Sequence, residues 1–363
     1  MNTTIDPKST ASDLFKNRKR PFLIAGPCSA ETEEQVLETS RRLKLTGKVD
    51  MFRAGLWKPR TRPGSFEGVG QDGLSWLQKV KQLTGLPVCT EVANSSHVEL
   101  CLEHGIDVFW IGARTSANPF AVQDIADALK NVDIPIMIKN PINPDLSLWI
   151  GGVERLQKAG ISNIAAIHRG FSYTGERIYR NRPQWQIAID FMQEFPDMMI
   201  LNDPSHICGR RDLLASISQK AMDLNFDGLM IECHVTPDEA WSDAMQQITP
   251  EVYGELINGL ILRETTIDAQ SISRLESLRK LIDLIDDDLI HALASRMKIA
   301  REIGEFKKEN NYSILQKERW REIMDKFLLK GREFNLSAEF IESLIKTIHD
   351  ESIHQQEKVI NGK

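Results

Sequence analysis

Short apolar, β-branched runs recur along most of the chain: Phe22–Cys28, Val49–Ala54, Leu86–Val92, Val108–Gly112, Pro135–Lys139, Ile164–His168, Met198–Asn202 and Gly228–Glu232. Successive starts lie 27, 37, 22, 27, 29, 34 and 30 residues apart. Amphipathic stretches, Glu33–Leu45 and Asn118–Lys130 among them, fill the gaps. Strand, helix and strand at this period describe βαβ units and a parallel sheet. Eight units match a (β/α)8 TIM barrel in number and length, with a doubly wound sheet as the competing arrangement.

The pattern then changes. From Ser273 to Glu309, Leu275, Leu278, Ile282, Ile285, Leu289, Leu293, Ile299 and Ile303 form one stripe at helical spacing. A helix of that extent is about 55 Å long at 1.5 Å per residue, which predicts pairing with a second copy. Periodic segments near Lys317–Leu329 and Ala338–Gln355 predict two more helices. Composition draws the same border. All 15 Pro lie at or before Pro250, and residues 274–363 hold 17 basic and 17 acidic side chains. The expected domains are 1–262, a linker at 263–273, and 274–363.

The net charge of −6 argues against nucleic acid as a partner. The apolar runs are too short to span a membrane, and five widely spaced Cys fit a reducing cytoplasm. The run Gly68–Gly73 fits a dinucleotide-binding spacing but follows a polar loop, so it reads as a loop.

Each strand-like run ends in chemistry: GPCS (26–29), FRAG and KPRT (52–55, 58–61), CTEV (89–92), IGAR (111–114), IKNP (138–141), IHRG (167–170), NDPSH (202–206) and IECH (231–234). In a barrel these ends converge on one face. Arg53, Lys58, Arg114, Lys139 and Arg169, with Arg60, would surround a strongly anionic ligand. Cys28, His206, Glu232 and a following acid, best Asp243, make a mixed donor set for Mn, Fe, Zn or Co. In the helical segment, Arg296 and Lys307 fall inside the apolar stripe and Arg279 on its edge, which points to an internal dianion site.

Over roughly residues 15–262, the ordered set GPCS, KPRT, IGAR, IKNP, IHRG, DPSH and IECH resembles the 3-deoxy-D-arabino-heptulosonate 7-phosphate (DAHP) synthases of the short microbial type. The resemblance implies metal-dependent condensation of phosphoenolpyruvate with erythrose 4-phosphate. It implies metal ligands Cys28, His206, Glu232 and Asp243, with Mn2+ foremost and Fe2+, Co2+ or Zn2+ as alternatives. It further implies that Arg53, Lys58, Arg114, Lys139 and Arg169 hold phosphoenolpyruvate, and that Arg60 and Thr61 receive the aldose phosphate. The related 3-deoxy-octulosonate 8-phosphate synthases typically lack the KPRT run. Lys58–Thr61 therefore predicts erythrose 4-phosphate over arabinose 5-phosphate. The group that activates water is left open, with Glu91 or a metal-bound water as candidates.

Over roughly 274–360, LxxLRxxID (275–283) and SRMKIAREIGEFK (295–307) resemble the all-helical chorismate mutases. The resemblance maps Arg279, Arg296, Lys307, Arg319, Ser352 and Gln356 onto a site that converts chorismate to prephenate. It also implies a homodimer in which Arg279 crosses to the partner. Gln316 and Trp320 stand where that family often has Asp and Glu. An inactive dimerisation or regulatory module is thus the rival reading. Joining an early and a late step of one pathway predicts that prephenate or chorismate, bound at the helical domain, inhibits the barrel.

Overall fold

The computed structural model describes residues 14–15, 20–59, 64, 66–263, 269–315 and 317–362. The chain divides into two compact units, Met1–Thr265 and Thr266–Lys363.

The first unit is a closed barrel of eight parallel strands in chain order: β1 (Phe22–Gly26), β2 (Met51–Arg53), β3 (Val88–Val92), β4 (Val108–Ile111), β5 (Ile136–Lys139), β6 (Ile164–His168), β7 (Met199–Asn202) and β8 (Gly228–Glu232). β1 closes the ring on β8, with Phe22 opposite Gly228 and Gly26 opposite Glu232. A doubly wound sheet has no such closure. Between the strands run α1 (Glu33–Leu45), α2 (Asp72–Thr84), α3 (Ser95–Glu103), α4 (Ala113–Ser116), α5 (Pro119–Ala128), α6 (Leu146–Lys158), α7 (Trp185–Glu194), α8 (Pro204–Cys208) and α9 (Leu214–Asp223), and α10 (Pro250–Gly259) follows β8. Strands covered on both faces must be apolar throughout, so they read as runs rather than alternations.

The strands carry two cores of opposite parity. Ile24, Met51, Cys89, Trp110, Met137, Ile167, Leu201 and Met230 fill the barrel. Their neighbours Leu23, Phe52, Val88, Phe109, Ile138, Ala166, Ile200 and Leu229 pack outward under the helices. Side chains alternate along a strand, so the inward parity continued two residues onward gives Arg53, Glu91, Lys139, Arg169, Asp203 and Glu232. Four residues beyond Ile24 and Trp110 it gives Cys28 and Arg114. The charged ring is the top layer of the barrel's own packing. Gly26 is required below it. Its φ is +151°, and an added Cβ would meet the Arg53 carbonyl oxygen at 2.0 Å.

The second unit has three helices: α11 (Ala269–Glu309), α12 (Lys317–Glu333) and α13 (Ala338–Asn361). α11 starts at Ala269, inside the expected linker, because no Gly or Pro there interrupts helical backbone. α12 passes Leu329 and runs through Gly331, whose added Cβ would meet the Ile341 side chain at 2.6 Å. That glycine serves close helix packing rather than ending the helix. α13 continues to Asn361 and stops at Gly362, which is left-handed. Gln316 lies outside the described residues, as do Arg60 and Thr61.

Candidate active site

A cavity of about 210 Å³ opens on the C-terminal rim of the barrel. Lys58, Arg114, Lys139, Arg169 and Arg180 line it, with Glu91, His206 and Asp243. Arg53 lies apart from that lining, 1% exposed, its guanidinium 4.9 Å from the Trp110 ring centroid. Burial pulls the Arg169 guanidinium down to about 10. Glu91 Oε2 accepts from Trp110 Nε1 at 3.0 Å, which fixes that carboxylate on the wall.

Cys28, Glu232 and Asp243 each offer a ligand atom, and these atoms lie within 4.8 Å of one another. His206 lies outside that three-residue cluster but beside it, its Nε2 3.7 Å from Glu232 Oε1. The imidazole is aimed by Asp203, the N-cap of α8. Asp203 Oδ1 accepts from the His206 backbone N–H, and Oδ2 lies 2.7 Å from His206 Nδ1. The same Oδ2 accepts from Lys139 Nζ at 2.8 Å. Burial holds His206 below its ordinary imidazole value against the pull of Asp203.

Each clustered donor also has its own cation. Lys58 Nζ is 3.2 Å from Cys28 Sγ, Arg53 Nη2 is 3.2 Å from Glu232 Oε1, and Arg180 Nη1 is 3.0 Å from Asp243 Oδ2. Burial and the Glu232 charge push the Cys28 thiol up to about 12. Burial also opposes ionisation of Asp243, but Arg180 and His206 outweigh it and hold the carboxyl well below its usual range. Glu232 Oε1 is buried and accepts no hydrogen bond. A sulfur, an imidazole nitrogen and two carboxylates, one with an unsatisfied buried oxygen, fit a divalent transition metal.

In the helical unit, Arg296 Nη1 donates to Ser352 Oγ. Lys307 Nζ donates to Gln356 Oε1 at 3.0 Å, and Gln356 Nε2 to the Ser352 carbonyl at 3.2 Å. These four expected site residues are therefore joined, and all but Arg296 are buried. Arg279 and Arg319 are not brought to them. Arg279 is exposed, and Arg319 pairs with Glu322 on the surface. Beside Arg296 an apolar cavity of about 370 Å³ is lined by Leu293, Ile323, Phe327, Ile345 and Ile348, with Trp320 stacked 4.1 Å from His349.

Residues 5–269 match the family model described as DAHP synthetase I family. The chain belongs to the DAHP synthetase I family. Residues 278–357 match the model described as chorismate mutase type II. The chain is similar to a Thermotoga maritima protein named phospho-2-dehydro-3-deoxyheptonate aldolase, 32% identical over 235 residues, 65% of this chain and 67% of that one. It is also similar to a Caulobacter vibrioides 2-dehydro-3-deoxyphosphooctonate aldolase, 26% identical over 266 residues, 68% of this chain and 88% of that one. The crystal structure of the Thermotoga maritima DAHP synthase matches with a TM-score of 0.59 and 29% identity over 67% of this chain and 70% of that chain.

Both families are enzymes, a transferase and an isomerase. The DAHP synthetase barrel holds site residues that the motif reading passed over. Asp203 stands inside the quoted NDPSH run, and its inward strand parity marked it. Arg180 sits in a loop with no periodicity, and Gln246 in a short 3-10 turn after Asp243. No sequence signal located those two. Among the described residues no helix is long and apolar enough to cross a membrane.

Proposed function

We propose that the barrel condenses phosphoenolpyruvate with erythrose 4-phosphate, using a divalent metal, Mn2+ foremost, held by Cys28, His206, Glu232 and Asp243. One observation carries this reading: a cavity lined by five cations, with His206 and Asp243 on its wall, adjoins the Cys28, Glu232 and Asp243 cluster, a donor set suited to a transition metal. Of the five expected phosphoenolpyruvate cations, Lys58, Arg114, Lys139 and Arg169 line that cavity and take the phosphate and carboxylate, while Arg53 adds its charge from the buried layer where it pairs with Glu232. Arg60 and Thr61 take the aldose phosphate. The bound metal supplies Lewis-acid polarisation of the aldehyde. The cations neutralise the ligand, hold its enol carbon against the aldehyde and keep competing water from that face. Glu91 takes the proton of the water that adds at C2 before phosphate leaves.

The helical unit rearranges chorismate to prephenate. Arg296, with Arg279 and Arg319, holds the two carboxylates. Lys307 and Gln356 face the ether oxygen, and Ser352 positions Arg296. The unit works as a homodimer. Leu278, Ile282, Ile285 and Leu289 are each more than half exposed on α11, while the same unit has an apolar cavity. Exposed apolar stripes of this size mark an interface, and a second copy supplies both halves. Arg279, on that stripe's edge, then reaches the partner's site. Prephenate or chorismate bound there inhibits the barrel. The domains are 1–262 and 274–363, and the protein works in the cytoplasm, where its buried free cysteines stay reduced.

The deciding test strips the full chain with a chelator, restores Mn2+, and follows phosphoenolpyruvate loss with erythrose 4-phosphate or arabinose 5-phosphate. Loss only with erythrose 4-phosphate supports the reading. Loss only with arabinose 5-phosphate overturns the substrate assignment, and loss with neither overturns the condensation. Chorismate turnover by the same sample tests the helical unit. No turnover favours the dimerisation or regulatory module, inactive because Gln316 and Trp320 stand where the mutases often have Asp and Glu. An unchanged condensation rate with prephenate bound sinks the inhibition.

A further inference from the structure

The two oxygens of Glu232 are in different states. Oε2 accepts from Gln246 Nε2 at 2.6 Å. Oε1 is buried, accepts no hydrogen bond, and lies between Arg53 Nη2 at 3.2 Å and His206 Nε2 at 3.7 Å. Gln246 is 1% exposed, and its Oε1 accepts from Arg180 Nη1 at 2.6 Å. A carboxylate only accepts and a guanidinium only donates, so the amide has one satisfied orientation. Arg180 also pairs with Asp243 Oδ2. One amide and one guanidinium therefore tie two carboxylates of the donor set to each other. The tie is short in sequence, because Asp243 (φ +50°) leads directly into the 3-10 turn that carries Gln246.

We propose that Gln246 is a positioning residue for Glu232: by occupying Oε2 it fixes the carboxylate's orientation within the Cys28, Glu232 and Asp243 cluster, leaves Oε1 without a hydrogen bond, and so sets the barrel's affinity for its metal. The proposal rests on the metal site assigned above. The terminal torsion of a Glu side chain is broad and roughly two-fold, so nothing intrinsic chooses between the two oxygens. With Gln246 gone, both would compete for Arg53, and Glu232 would no longer be held ready for the metal. Hydrogen-bonding partners of metal ligands typically contribute roughly 10–100-fold in affinity.

The test uses the full chain, stripped of metal, with Co2+ as the probe. Binding is followed by thiolate-to-Co2+ absorbance and by competition with a chelator, neither of which needs turnover. Wild-type protein gives the thiolate band, and Cys28→Ser abolishes it. A missing band, or one that survives in Cys28→Ser, means the metal assignment itself is wrong. With that assignment standing, Gln246→Met, which keeps size but not hydrogen bonds, should weaken Co2+ binding roughly 10–100-fold while retaining the thiolate band. Gln246→Asn, too short to reach both partners, should shift affinity in the same direction and serves if Gln246→Met does not fold. Co2+ affinity within about threefold of wild type in a folded variant overturns the proposal, even if the metal-free protein melts earlier.

Discussion

The Arg53–Glu232 pair is the most exacting electrostatic feature of the barrel. The two side chains are 1% and 0% exposed and meet at 3.2 Å. Arg53 Nε and Nη1 are buried without hydrogen-bond partners, so the guanidinium depends on Glu232, on a long contact to the Cys28 carbonyl (3.4 Å) and on the Trp110 ring. Arg53→Met leaves the carboxylate beside only a partial set of partners, and Glu232→Gln leaves the guanidinium nearly bare. Breaking a buried pair from one side typically costs about 3–5 kcal/mol, whereas replacing both partners costs far less. At about 2–4 °C per kcal/mol for a unit of this size, each single variant should melt roughly 6–20 °C earlier. The double variant should recover much of that. The assay is thermal unfolding of the full chain in chelator, read by tryptophan fluorescence, because bound metal would itself compensate Glu232. Single variants within about 2 °C of wild type, or a double variant whose loss equals the sum of the singles, would refute the reasoning.

Three further outcomes are expected. Chelation should abolish condensation and leave chorismate turnover in the same sample intact; parallel loss of both activities would contradict separate sites. His168 is buried, neutral and held at about 4, chiefly by desolvation, with Nε2 donating to the Pro183 carbonyl at 2.6 Å. Its folded value is depressed below the ordinary 6.5, so the unfolded chain takes up the proton first and stability falls as pH drops from 6.5 to 4. The slope is about 1.4 kcal/mol per pH unit, and His168→Gln should remove it from the pH dependence of the urea midpoint. Arg296→Met should lower chorismate turnover by about 100-fold or more and abolish any prephenate effect, while condensation without prephenate stays at wild-type rate.

How far the sequence reaches depends on whether backbone periodicity carries the residue. The barrel was legible because fully covered parallel strands must be apolar runs, and the spacing of Val108–Gly112 and Pro135–Lys139 leaves room for a helical crossover, which the chain fills with α4 and α5. Most of the rim was legible for the same reason. Lys139, Arg169, Asp203 and Glu232 lie in register with Met137, Ile167, Leu201 and Met230 beneath them, so strand parity alone aims them inward. α11 was legible from its stripe, though not its start at Ala269, because a stretch without Gly or Pro gives no stop signal. Arg180 and Gln246 were not legible. They reach the site from irregular segments, through contacts to residues 63 positions and 14 positions away. Their placement changes how the charges are understood. The sequence sorts the rim into cations for the anion and donors for the metal, as two separate sets. In the folded barrel the sets interleave, Lys58 on Cys28, Arg53 on Glu232 and Arg180 on Asp243. A divalent ion arriving among the donors competes with those cations and frees positive charge toward the cavity. Binding free energies are reciprocal, so an anion that recruits the same cations must strengthen the hold on the metal by an equal factor. Titrating metal with and without phosphoenolpyruvate measures that factor, and a value of one would mean that the ion pairs persist unchanged when both are bound.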